Sequence, residues 1–506
     1  MRIVRPMALL LLILLVIFHT ILPIIRLPFK MEIDPDEGWN AFFCQKAIAG
    51  QPLYLHPTPW ISVNYLPFSF YIVGIMGWLL GDTLFAGRLI SLRSLLMLAL
   101  GISVIVARLS RNSYASIFAG FLCLGSFAAF GTYYIGKNDP EMLGHLWSFA
   151  ALFLYILDES ILDKPKKFLF VALLCLVGAY FKPSMVAVPL AISLDILIRS
   201  RRKFLLWLAL GSLAVMGLVL PSLLIWGKGA FVQVLSFPRT YSLAKLGADA
   251  LLFGLINGIP LLALYPWLRH RAKANPVRVA SLYLGMALIV GLFFSGGYGT
   301  DVNMFFDFLI ALSLLVGLFL SEYNEGNAVN VYRHRAITAI VPFAVMAGFL
   351  FLSIMKVPQT DDQSEIRFGV WRPSILQILK RSQQETMEDA SFVQQAKGPV
   401  ICEGTILCFF SHKEFIFDPF FVREAIEKGQ ISESDLIKKI DDRYFALIQL
   451  EGEIGQVPQT LRVFSFVRKD VWYDRWTENL KKEIAKHYRI ARRSINGVFY
   501  VPIDGR

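Results

Sequence analysis

Long uncharged apolar stretches constrain this chain more than any other feature. Met7–Ile25 and Ala336–Met355 each run for about 20 residues without a charged side chain. As helices, at about 1.5 Å per residue, they cross a hydrocarbon core roughly 30 Å thick. Of the 506 residues, 56% are hydrophobic and 17% charged, against roughly 45–50% and about 25% in soluble globular chains. A soluble enzyme, a secreted disulfide scaffold and a disordered chain are excluded. The composition defines a polytopic membrane protein, mainly α.

The formal charge of +12 raises nucleic acid as a partner, but its placement argues against one. Basic side chains gather in short loops between the apolar runs: Arg108 and Arg111, Lys164–Lys167, Arg199–Lys203, Arg269–Arg278, and Arg333 with Arg335. None is interleaved with the stacking aromatics of a single-strand groove. Short basic loops mark instead the cytoplasmic ends of membrane hairpins, beside anionic headgroups. Putting every such loop in the cytoplasm, with the N-terminus, gives a multi-pass protein of the inner or plasma membrane with about 11 spans. These are Met7–Ile25, about 83–107, about 114–134, a fourth ending near Leu157, Phe168–Tyr180, Met185–Ile198, Phe204–Trp226, about 250–268, Val279–Phe294, Asn303–Leu320 and Ala336–Met355. The basic start of the first run resembles a signal peptide, but its core is too long and no small-residue cleavage site follows. It reads as an uncleaved helix.

Residues 26–82 then form a long outer loop within a membrane domain of residues 1–355. Leu66–Leu80 in that loop is apolar, yet its roughly 22 Å of helix falls short of the bilayer core. If it spanned, every later basic cluster would face outward. An interfacial or re-entrant helix is predicted there.

Beyond Met355 the chain becomes mixed in charge. A polar linker and a small extracytoplasmic α/β domain are expected over 356–506, with strands at Val400–Cys402, Phe415–Phe417, Tyr444–Leu450 and Gly497–Val501. Helices are expected at Ser434–Ile440 and Arg475–His487, with Ser432 and Asp474 as cap or near-cap residues. The five cysteines leave at least one unpaired within the chain. Cys123 and Cys175 lie in apolar runs, whereas Cys402 and Cys408 form a short-range disulfide only if they face an oxidising compartment.

Charged residues near membrane depth are costly and point to function. Four outer segments carry them. DPDEGWN at 34–40 places three carboxylates within four residues, suited to deprotonating a hydroxyl or simply to a solvated acidic loop. GKNDPE at 136–141 puts Asn138 and Asp139 in a turn on the same side, where either could also cap the next helix. FKPS at 181–184 offers Lys182 to a lipid phosphate or to headgroups. GGYGTDVNMFFDF at 296–308 leads through a glycine turn to Asp301, Asn303 and Asp307, a pattern that also suits turn and cap chemistry. Jointly these place two acidic motifs and a cation at one end of a helical bundle. A transporter would more often show interrupted helices and polar sites at the midplane.

Several of these motifs in order resemble a known family. DPDEGWNAFFCQKAIAGQPLY followed by NYLPFSFYIVGIMGWLLGDTLFAGRLISL is similar to the first outer loop of the polytopic GT-C glycosyltransferases. The likeness is to family 39-type enzymes, kin to protein O-mannosyltransferases and the lipid A aminoarabinose transferase. GKNDPEMLGH resembles their second acidic motif, FKPSMVAVPLA their lysine hairpin and GYGTDVNMFFDFLIALSLLVG their late Asn-aromatic helix; in the tail GPVICEG and FDPF resemble similar bacterial proteins. The resemblance implies a GT-C bundle that transfers a sugar, with inversion, from a polyprenyl-phosphate donor to a hydroxyl of a lipid, glycan or protein on the extracytoplasmic face. Asp36 would be the general base, although Asp34 lies two positions away in the same motif. Glu37 would orient it or bind a sugar hydroxyl, Asp139 would bind substrate or support Asp36, and Lys182 would stabilise the departing phosphate. Asn64, Tyr65, Asn138 and Asn303 complete the substrate-binding set. His56 reads as a loop residue and His145 as a helix-face residue. No paired His/Cys spacing for zinc occurs; a divalent metal is left open. The rival reading is a transporter, flippase or polymerase of lipid-linked glycans.

Overall fold

The computed structural model of the chain describes residues 4–56, 58–158, 160–322, 365–367, 369, 371–455 and 475–503. The first half is helical: α1 (Val4–Ile25), α2 (Asp36–Ile48), α3 (Phe68–Leu80), α4 (Thr83–Ser110), α5 (Ser113–Phe130), α6 (Glu141–Leu157), α7 (Pro165–Phe181), α8 (Ala187–Arg199), α9 (Arg201–Trp226), α10 (Lys228–Leu235), α11 (Leu243–Arg271), α12 (Asn275–Ser295) and α13 (Phe306–Glu322). Among the described residues six stretches are long and apolar enough to cross a membrane: Arg5–Ile25, α4, α5, α9, α12 and Val302–Glu322. The span expected at Ala336–Met355 lies outside the described residues, as does Asp474.

Contacts between helix ends show the alternation. At one end Lys182 meets Glu141, Tyr133 meets Asp301 and Lys245 reaches the Ser295 carbonyl. At the other, Arg278 pairs with Asp195 at 2.6 Å, Lys203 with Asp163 at 2.8 Å and Arg271 with Glu322 at 2.9 Å. Acidic motifs and basic clusters thus separate to opposite ends. At the centre α13 is buried from Phe306 to Ser321 and packs on α4, α5 and α12. Its Phe306 ring lies 4.5 Å from that of Phe127.

The outer loop is more ordered than its sequence suggests. Asp36 opens α2, a helix that sequence patterning missed because it is buried on almost every side and has no amphipathic stripe. α3 has 13 residues. Gly81 ends it with φ of 72°, in the left-handed region that favours glycine, and Asp82 caps α4 through the Phe85 N–H at 2.9 Å. The chain therefore doubles back after a helix too short to span. Ile75, Trp78, Leu79 and Leu80 are exposed on α3 while Phe70 and Val73 pack inward.

The tail domain holds α14 (Ile375–Gln395), β1 (Val400–Cys402), α15 (Thr405–Phe410), α16 (Pro419–Glu427), α17 (Glu433–Asp441), β2 (Leu447–Leu450), α18 (Glu478–His487), β3 (Tyr488–Ser494) and β4 (Gly497–Pro502). Strand order is β1-β2-β4-β3, with β1 and β2 parallel and the rest antiparallel. Ile448 pairs with Tyr500, and Phe392 of α14 packs 5.8 Å from Phe499. Among the described residues one expected strand is absent and one strand was not expected. Phe415–Phe417 is buried but makes no ladder; Phe415 packs on Phe42 and Phe417 on Trp476. Tyr488–Ser494, rich in arginine, is an edge strand with alternate burial.

Cys402 and Cys408 are disulfide-bonded, their Cα atoms 5.9 Å apart, while Cys44, Cys123 and Cys175 are free and buried. So small a loop stabilises by about 2 kcal/mol on chain-entropy grounds. Cys402→Ser is expected to lower the melting temperature of the purified protein, and reductant should reproduce the shift in wild type but not in the variant. An unchanged melting temperature under both conditions would show that the bond does not stabilise the fold.

Candidate active site

Where α2, the 131–141 turn, α7 and the tail domain meet, they enclose a cavity of about 310 Å³. Its lining includes Asp34, Asp36, Asn64, Tyr65, Lys137, Asp139, Lys182 and Asn303 from the membrane domain. Residues from five separate stretches of sequence converge there.

Lys137 is the hub. Its ammonium, 2% exposed, lies 2.9 Å from Asp34, 3.4 Å from Asp36 and 3.4 Å from Asp139. The nearest partner gains most: burial pushes the Asp34 carboxyl up, but Lys137 and Arg367 outweigh it and hold the group at about 2. Asp36 shifts the other way. Enclosure raises it, Lys137 opposes, and the Asp34 and Asp139 carboxylates add to the rise. Yet Asp36 keeps a side-chain exposure of 58%, against 21% for Asp34 and 4% for Asp139. It is the carboxylate of this trio most open to a substrate and, unlike Asp34, is biased toward accepting a proton. The three acids could also hold a divalent cation, but the Lys137 ammonium already stands among them.

Lys182, also on the cavity lining, meets Glu141, approaches Asp139 at 3.8 Å and lies 5.7 Å from the centre of the Tyr65 ring. Asn303 donates to Glu141 at 2.7 Å. Behind them His145 contacts Glu141 at 3.1 Å and Asp307 at 3.2 Å, so its role is to join two helices rather than to stand alone. His56 is a loop residue whose Nε2 lies 3.1 Å from Gln233.

Two expected site residues do not line the cavity. Glu37 is fully buried and grips Arg88 through two hydrogen bonds of 2.6 and 2.8 Å, while also accepting from the Asn138 N–H at 2.9 Å. Asn138 is buried against Glu37 and Asn40. Both hold the acidic motifs together from behind. Arg88 in turn donates to the carbonyls of Phe29 and Met31, each at 2.7 Å, and so fixes the segment leading to Asp34.

The tail contributes a wall that sequence reasoning missed: Glu403, Thr405, Asp418 and Arg475. Thr405 donates to the Pro35 carbonyl and accepts from the Trp39 N–H at 3.0 Å. A β-carbon on Gly38 would overlap the Thr405 and Ile406 backbone, so α2 and α15 meet only because residue 38 is glycine. Burial, then Glu451, pushes Glu403 up to about 7. Burial lifts Asp418 to about 6, with Asp36 adding to the rise. Arg475 pairs with Glu451 at 3.2 Å. GPVICEG and FDPF contain Glu403 and Asp418, but nothing local ties them to Asp36. Arg239 also lines the cavity, its guanidinium 5.5 Å from the Phe237 ring centre and 5.9 Å from that of Phe420.

A helical bundle with its first outer loop folded into short helices and an α/β tail packed over a charged cavity is a fold shared with solved structures. The chain is similar to ArnT from Cupriavidus metallidurans bound to undecaprenyl phosphate, with a TM-score of 0.57 and 15% identity over 97% of this chain and 98% of that one. The apo state of that protein matches equally, at 0.57 and 16% identity over 97% of each chain. The Archaeoglobus fulgidus oligosaccharyltransferase tethered with an acceptor peptide gives 0.54 and 11%, over 96% of this chain and 72% of that one. Neither a family model nor a curated protein matches the sequence.

Proposed function

We propose that this protein is a membrane glycosyltransferase that moves a sugar from a polyprenyl-phosphate donor to a hydroxyl acceptor on the extracytoplasmic face. The observation that carries the reading is that the open Asp36 carboxylate and the Lys182 ammonium line one cavity. The undecaprenyl phosphate held by the similar ArnT supports the donor class. The acceptor oxygen attacks the anomeric carbon, its proton passes to Asp36, and the carbon–oxygen bond to phosphate breaks. Positive charge develops at the sugar and negative charge on the leaving phosphate, where Lys182 stabilises it. A single displacement inverts the anomeric centre. Lys137 holds Asp36 in place, and Asp34 keeps Lys137 charged.

Incubating the purified full chain with a labelled undecaprenyl-phosphate sugar and separate lipid, glycan and peptide acceptors tests the reading. Transfer to one acceptor class that depends on Asp36 supports it; donor-independent movement of lipid-linked glycan across a vesicle membrane would favour the transporter.

The pH profile gives a second check. Because Asp36 is raised and must be ionised to act, activity is full above its pKa and lost as pH falls through it. The acid limb of kcat/KM is therefore expected above the ordinary aspartate range. Lys137→Met removes the opposing cation, so the limb should move to still higher pH. A limb that moves down in this variant would show that Asp36 is not the titrating group.

A further inference from the structure

A second cluster of ligand-type side chains lies in the tail domain, apart from the cavity lining. Glu483 and His487 stand four residues apart on α18 and so share one face. Asp441, the last residue of α17, comes up beside them. His487 Nε2 is 2.9 Å from Asp441 Oδ1 and 3.3 Å from Glu483 Oε2. One donor atom from each residue lies within 4.8 Å of the others. The positions are set from beneath, because Leu436 and Ile440 of α17 pack with Leu480 and Ile484 of α18 in the tail core.

The imidazole shows that this is more than an ion pair. Nε2 is buried from solvent, yet it makes a hydrogen bond to neither oxygen. An imidazolium held by carboxylates would aim its N–H at one of them. A ring nitrogen that faces two carboxylates without donating to either has the arrangement of a ligand beside its co-ligands. Two donors about 2.0–2.1 Å from a tetrahedral ion stand roughly 3.3 Å apart, close to the spacings seen.

We propose that Asp441, Glu483 and His487 bind a first-row divalent cation of the zinc class. One imidazole nitrogen and two carboxylate oxygens suit zinc, with water completing the shell; calcium and magnesium favour all-oxygen sets. Lys486, 3.5 Å from Glu483, is an exposed competitor that swings aside. The ion would clamp α17 to the far end of α18, whose near end follows Arg475 on the cavity wall.

The full chain in detergent, stripped with chelator, is titrated calorimetrically with Zn²⁺. One ion per chain is expected, with affinity falling at least tenfold, about 1.4 kcal/mol, in Asp441→Asn and in His487→Ala. Co²⁺ should give the visible absorption of a tetrahedral N/O site, lost in the same variants. Asp441 is exposed, so its substitution keeps the test valid if His487→Ala fails to fold. No stoichiometric binding in wild type, or binding unchanged in Asp441→Asn, would overturn the assignment.

Discussion

Asp36→Asn is expected to lower kcat for sugar transfer by roughly a thousandfold, within the range that a general base supplies. Donor affinity should stay within about twofold, because the amide preserves shape and Lys182 is untouched. Lys137 remains held by Asp34 and Asp139 at 2.9 and 3.4 Å, so the cavity need not rearrange. Asp34→Asn separates the two candidates for the base. Asp34 lies nearer Lys137 and accepts the Asp36 N–H at 3.1 Å, so the proposed mechanism makes it an anchor rather than the base. Removing its charge should relieve the like-charge push on Asp36 and move the acid limb of kcat/KM to lower pH, with a smaller fall in kcat. Single-turnover rates against pH for both variants measure this. A larger loss in Asp34→Asn than in Asp36→Asn would reverse the two roles.

Arg88→Met should have the largest effect on stability. Both partners of the Arg88–Glu37 pair are fully buried, and removing one leaves an uncompensated charge with a cost of about 3–5 kcal/mol. Four carbonyls, of Arg26, Leu27, Phe29 and Met31, also lose their guanidinium donor. The variant is expected to show a sharply lower melting temperature and little monodisperse protein after extraction. Arg88→Met combined with Glu37→Met should recover much of the loss, since a buried pair replaced by apolar groups is often near neutral. A wild-type melting temperature for the single variant would remove the pair from the account of how the acidic segment is held.

The split between Asp36 and Glu37 shows where sequence reasoning stops. The two are adjacent at the start of α2, and each helical residue advances about 100°. One carboxylate therefore turns into the cavity while the other turns back to Arg88. Composition cannot choose between them, because the choice depends on how α2 docks against α4 and α15. The long apolar helices were legible for the opposite reason: a 28-residue run such as α4 has to satisfy its own backbone in lipid whatever surrounds it. The shortness of the α3 segment was legible too, since its apolar run gives a helix of only 13 residues. Asp139 and Lys182 could be named because each sits at a helix end beside a proline or glycine turn. Glu403, Asp418 and Arg475 could not. Their charges join the site only through tertiary packing of a domain hundreds of residues along the chain, and their local sequence gives no periodic signal. Tyr488–Ser494 was missed for a related reason, since four of its seven residues are polar and its pairing with β4 decides its state.

On the proposed mechanism a lipid phosphate and a hydroxyl acceptor meet in the cavity lined by Lys182 and Asp36. The most direct measurement is an experimental structure of the full chain in lipid with undecaprenyl phosphate bound. Phosphate density within hydrogen-bonding distance of Lys182 Nζ, with its tail leaving between helices and Asp36 open on the far side of the cavity, is the predicted result. Phosphate bound at the end of the bundle carrying Arg199–Lys203 and Arg269–Arg278, with the Asp36 cavity unchanged, would contradict it.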